Sequence, residues 1–179
     1  MEISGKYSLL SSGIMFFIIS HGAWLWEGSV TMLEVGKFVN RGFLHGFWLP
    51  LYGMGSLFLI YLFGKKKQSF WKIFIGSAVL CTMIEYSTAV LLEKLFHQKW
   101  WDYGFIGFDL KGRICGPAIL LFGLAGYFLV CLLAPYLDRQ IGKMSLLWQK
   151  RLCIILALLL LFDFGISVFY PNTGYGITF

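Results

Sequence analysis

Residues 152–170 read Leu152-Cys153-Ile154-Ile155-Leu156-Ala157-Leu158-Leu159-Leu160-Leu161-Phe162-Asp163-Phe164-Gly165-Ile166-Ser167-Val168-Phe169-Tyr170. Apart from Asp163 the run carries no charge, and at 1.5 Å per helical residue it reaches across a hydrocarbon layer about 30 Å thick. Working outward, four more largely apolar stretches precede it, at about Leu9 to Trp26, Phe43 to Phe63, Trp71 to Leu95 and Ile114 to Ala134. Hydrophobic residues make up 58% of the chain and charged ones 13%, against about 25% charged in soluble domains. These features predict an all-α fold: a polytopic integral membrane bundle of about five transmembrane helices. The 179 residues form a single domain, 1–179, with no internal repeat and no room for a separate soluble domain.

The net charge of +6 does not point to nucleic acid, because Lys and Arg gather in the connections, where they set orientation. Lys6, Lys65, Lys66, Lys67, Lys72, Arg139, Lys143, Lys150 and Arg151 fall on one side of the bilayer. Lys37, Arg41, Lys94, Lys99, Lys111 and Arg113 fall on the other. Nine bases against six place the N-terminus inside and the C-terminus outside. The excess grows if Glu93, Asp102 and Asp109 tie up bases on the outer side.

Lys6 before an apolar run resembles a signal peptide, but a retained first span is expected. Trp24 and Trp26 suit a retained interfacial belt, with His21 and Glu27 read as interfacial polar residues beside it. Residues 28–42 are expected as a short polar connection. The second span contains Pro50, which removes a backbone donor, and glycines at 46, 53 and 55. A broken second helix is therefore expected, and such a break survives in a membrane only where protein or a polar cavity covers it. Close helix packing through small residues explains the glycines equally well. Pro135 and Asp138 are expected to end the fourth span, with Met144 to Trp148 in the interface before the fifth. The tail from Pro171 has turn composition. Cys81, Cys115, Cys131 and Cys153 form no C-x-x-C pair and read as free thiols rather than a metal site or a disulfide framework.

The densest chemistry lies in residues 85–117. Glu85, Ala89 and Glu93 share one helical stripe. An acid at mid-span costs ~2.5–3.5 kcal/mol on insertion scales, so it is retained facing a partner or a wet cavity. Asp163 poses the same question in the fifth span. Candidate partners are Arg113, Arg41, His45 and His21. Trp100-Trp101-Asp102-Tyr103 reads as an aromatic anchor, with Asp102 available to clamp Arg113. A guanidinium at Gly112-Arg113 also suits phosphate or carboxylate. An ion-paired network that fixes helix register, a proton relay, a polar substrate pocket and acid–base work on a lipid-linked substrate all fit these residues. No P-loop, H-E-x-x-H or G-x-S-x-G motif is present.

Taken in order, Asn40-Arg41-Gly42-Phe43-Leu44 with Pro50-Leu51-Tyr52-Gly53-x-Gly55, then Glu85-Tyr86, Leu92-Glu93 and Phe96, then Trp101-Asp102-Tyr103 and Gly112-Arg113-Ile114-Cys115, resemble a family of bacterial membrane proteins. It is the Putative ABC-transporter type IV, or CmpB-like permease, family, and the likeness spans about residues 38–135. The chain departs from that family's pattern at Phe47, Gly104, Asp109 and Phe122. The resemblance implies a multi-pass protein of the bacterial cytoplasmic membrane, with any ATPase on another chain.

The leading expectation is the membrane component of a transporter with an outward-facing polar pocket, and no enzyme class is assigned. Its candidate substrate-binding residues are Asn40, Arg41, His45, Tyr52, Glu85, Glu93, Asp102 and Arg113. No cofactor or metal is expected. The lipid bilayer is the expected partner, with a nucleotide-binding subunit, another membrane protein or a second copy left open. The alternatives are a membrane enzyme acting on lipid-linked substrates at the outer leaflet and a regulatory or assembly partner.

Overall fold

Serine decides where three of the helices begin. In the computed structural model, which describes residues 7–64 and 68–174, α1 (Leu9–Val35) follows Ser8, α3 (Phe70–Phe96) follows Ser69, and α6 (Leu146–Phe169) follows Ser145. Each hydroxyl accepts from the backbone amide three residues on, which satisfies one of the free donors of the first turn. The other two helix starts use proline. Pro50 opens α2 (Pro50–Phe63), and Pro117 lies in the first turn of α4 (Gly116–Phe128). Proline has no N–H to leave unsatisfied there. Lys6, Lys65–Lys67 and the residues beyond Gly174 lie outside the described residues.

α4 does not stop at Pro135. It passes through a π-helical turn, Leu129–Leu133, into α5 (Ala134–Ile141), so that one helix runs from Gly116 to Ile141. The wider turn sits just where the pyrrolidine ring would strike the preceding turn, and this absorbs the clash that was expected to end the helix. Two other boundaries also move. α1 continues past Trp26 to Val35 and stops at Gly36, whose φ of 74° is left-handed; residues 28–35 are thus helix, not a connection. α6 starts at Leu146, so Lys150 and Arg151 stand on its first turns, with Arg151 over the Trp148 ring at 5.6 Å.

The bundle is all-helical among the described residues, with four helices long and apolar enough to cross a membrane. The second crossing is the discontinuous one. α2 has 14 residues and spans only about 21 Å. The chain reaches its start through residues 43–49, which are not helical. The Leu49 amide donates to the Ser20 carbonyl at 3.0 Å, about 16 Å along α1 from its N-terminus. The broken second helix is thus present, and the break is deep.

Contacts at the two ends fix the layout. At one end the Ser11 hydroxyl donates to Asp138 at 2.5 Å, and the Cys153 thiol lies 3.5 Å from the Leu10 carbonyl. At the other, Asn172 donates to the carbonyls of Asn40 and Gly42, and the Trp100 indole donates to the Asn172 carbonyl. The 36–49 segment, the 97–115 loop and the C-terminal tail therefore share one face, as the sequence suggests. Helices approach through small residues: a Cβ on Gly53 would collide with Ser20 and Phe16, and one on Gly126 with Ser77. Gly53→Val should lower stability by about 1–3 kcal/mol through overpacking. A lower melting temperature of the purified protein in detergent would show it, and an unchanged one would contradict the α1–α2 packing.

Candidate functional site

The candidate side chains fall into three groups, all toward the face that holds the 97–115 loop. The first group holds the discontinuous crossing in place. Asp163 of α6 accepts from the His45 amide (3.0 Å), the Gly46 amide (2.9 Å), the Trp48 indole (2.9 Å) and the Ser167 hydroxyl (3.4 Å). Asn40 bonds from its amide nitrogen to the carbonyls of Leu44, His45 and Gly46, and its oxygen accepts from the Gly42 amide. The His45 ring meets the Tyr170 carbonyl at 2.7 Å, and the His21 ring meets the Phe47 carbonyl at 2.8 Å while stacking on Trp24. These groups supply hydrogen bonds to a backbone that lacks a helix. Arg41 leans away, 3.3 Å from Glu34.

The second group is an ion pair at the start of α4. Arg113 meets Glu93 of α3 with two bonds, Nε to Oε1 at 3.1 Å and an Nη to Oε2 at 2.5 Å. Its guanidinium also lies over Tyr86, 5.6 Å from the ring centroid, and its carbonyl accepts from the Trp101 indole. A planar fork on a carboxylate is the strong form of this contact. Arg113 is therefore clamped by Glu93 rather than by Asp102. Asp102 instead pairs with Lys99 at 2.8 Å and accepts from the Gly104 amide at 2.9 Å. The Gly112 amide donates to Asp109. Of the bases on this face, Arg113, Lys99 and Arg41 are tied to acids.

The third group lies deeper. Glu85 of α3 is 8% exposed. Its Oε1 accepts from the Tyr103 hydroxyl at 3.0 Å, and its Oε2 has no hydrogen-bond partner among the described residues. The Tyr52 hydroxyl donates to Glu27 of α1 at 2.5 Å. Glu27, Tyr52, Glu85 and Tyr103 lie within electrostatic reach of one another. Burial, then the charges of Glu85 and Glu27, push the Tyr103 phenol well above its ordinary range, so it stays a donor. Glu27 does not emerge from the sequence reading because that reading ends α1 at Trp26 and leaves it at an interface. Gly36 as a left-handed stop is the signal that would have placed it inside the helix.

A shallow apolar hollow of about 450 Å³ lies on α6, lined by Leu161, Phe162, Gly165, Ile166, Phe169 and Tyr170. None of its lining belongs to the acid–tyrosine group.

Four membrane-length helices, a discontinuous second crossing and a carboxylate buried on α3 define a multi-pass helical membrane protein. The chain belongs to the family described as Putative ABC-transporter type IV, whose pattern matches residues 14–168, wider than the 38–135 stretch that carries the motifs. No curated protein and no solved structure matches it.

Two outcomes follow from this geometry. Asp163→Ala leaves two backbone amides and an indole without their acceptor, and should cost about 3 kcal/mol or more; a melting temperature within a degree or so of wild type would contradict the clamp. The second concerns Asp102, whose carboxyl the hydrogen bonds from Lys99 and Gly104 hold below the usual range. A depressed folded pKa adds stability that is complete above the ordinary carboxylate value of about 4. That stability is lost as pH falls through the lower folded value. Hydrogen exchange in the 97–115 loop, corrected for intrinsic rates, should rise below about pH 4, and Asp102→Asn should abolish that rise.

Proposed function

We propose that this protein is the membrane component of an ABC-type transporter in the bacterial cytoplasmic membrane, working with an ATPase carried on a separate chain. Family membership and the membrane-length helices support the transporter component. In this reading the face bearing the 97–115 loop is outward, following the excess of bases on the opposite side. Solute enters beneath that loop and meets Tyr52, Glu85 and Tyr103. Glu93–Arg113 and Lys99–Asp102 hold the loop over the entrance, and Asn40, Arg41 and His45 shape its rim.

The observation that carries the reading is Glu85: a carboxylate in the middle of α3, away from lipid, with one oxygen bonded to the loop and the other unused. An intramembrane acid of this kind costs stability, and transporters use such groups to receive substrate or ions. Purification of the tagged protein from its native membrane should bring down a nucleotide-binding subunit. In a panel of solutes, at least one should raise the melting temperature of wild type but not of Glu85→Gln. If no ATPase co-purifies and no solute shifts the wild type, the proposal fails.

A further inference from the structure

Among the described residues, the acids beneath the loop are in no ion pair. The three ion pairs among the described residues join Arg41 to Glu34, Lys99 to Asp102 and Arg113 to Glu93, and none includes Glu85 or Glu27. The ionisable groups that face Glu85 are Glu27 from α1, Tyr52 from α2 and Tyr103 from the 97–115 loop, with Cys81 one turn earlier on its own helix. Buried Glu85 thus lies within electrostatic reach of a second, partly buried carboxylate, two phenols and a thiol.

Oxygen Oε2 of Glu85 has essentially no contact with solvent and no donor among the described residues. An ionised carboxylate in that position keeps a full charge with half its acceptor capacity empty, beside a second acid. A neutral carboxyl removes both the charge and the repulsion. We propose that Glu85 is a proton-binding site: with the loop closed it carries one exchangeable proton on Oε2. The proton comes from solvent on the loop face. It returns there when Tyr103 withdraws and water reaches the carboxylate, so loop position and proton occupancy are linked. The O–H bond formed at Oε2 takes its proton from a hydronium ion, and release regenerates that ion; no other reactant is needed. Tyr103 is the positioning residue, because its hydroxyl holds Oε1 and its loop covers the site. This goes beyond the transporter reading, since a proton site in this position needs neither the solute nor the ATPase to exist.

Infrared difference spectra of the full-length protein in nanodiscs, recorded across a pH titration, test it. Wild type should show the carbonyl band of one protonated carboxylic acid per chain that vanishes reversibly as pH rises. Glu85→Gln should lack that band, and Asp138→Asn, at the opposite end of the bundle, should keep it. Tyr103→Phe should move the band to higher frequency, because the carboxyl loses a hydrogen-bond donor. Should Glu85→Gln fail to fold, Glu85→Asp and the Tyr103→Phe frequency shift carry the assignment. Absence of a titrating carboxyl band in wild type, a band that survives Glu85→Gln, or a band that answers to added sodium at fixed pH instead of to protons would overturn the proposal. Failure of an ATPase to co-purify would leave it untouched.

Discussion

Asp163 is the group without which the second crossing has no account. Residues 43–49 enter the bundle without helical hydrogen bonds, and their backbone groups need other partners. A carboxylate on α6 collects two of their amides and an indole, Asn40 takes three carbonyls, and Ser20 and His21 of α1 take two more backbone groups. α2 can then begin deep in the bundle at a proline, and its shortness ceases to be a liability. The close approach at Gly53 follows, because α2 is pinned against α1 at its first turn.

From that anchor the site is a matter of layers. The clamp around residues 40–49 and the tail lies beside a loop stapled by Glu93–Arg113 and Lys99–Asp102, and below that loop Glu85 touches Tyr103. The loop is neither slack nor purely polar. Phe108 and Lys111 are held at φ of 50° and 55°, in the left-handed region that side chains rarely adopt, by backbone bonds between Leu110 and Ile114 and between Gly116 and Phe108. A cover built this way is tied together by its own backbone bonds.

Much of this was readable from the residues themselves. Apolar length alone yields the helices, and Pro50 among glycines yields the broken crossing. The spacing of Glu85 and Glu93 puts both on one stripe of α3, although they take different partners. What escaped is instructive in physical terms. Glu27 was hidden by a helix end placed too early. Asn40 carries the look of a ligand but spends its amide on its own loop, as asparagine often does in turns. Asp102 and Glu93 are both plausible mates for Arg113 by type, and only the direction in which α3 presents Glu93 decides between them. Pro135 marks a stop in one dimension, yet a widened turn upstream makes it harmless.

That widened turn at Leu129–Leu133 has an implication for how this helix tolerates change. A π turn is, in effect, one surplus residue looped into an α-helix. Upstream of it, Gly123 and Gly126 meet Phe74 and Ser77 of α3; downstream, Asp138 meets Ser11 of α1. The surplus residue uncouples the angular phase of the two halves. Each half therefore addresses its own neighbour without a compromise in side-chain orientation along the whole rod.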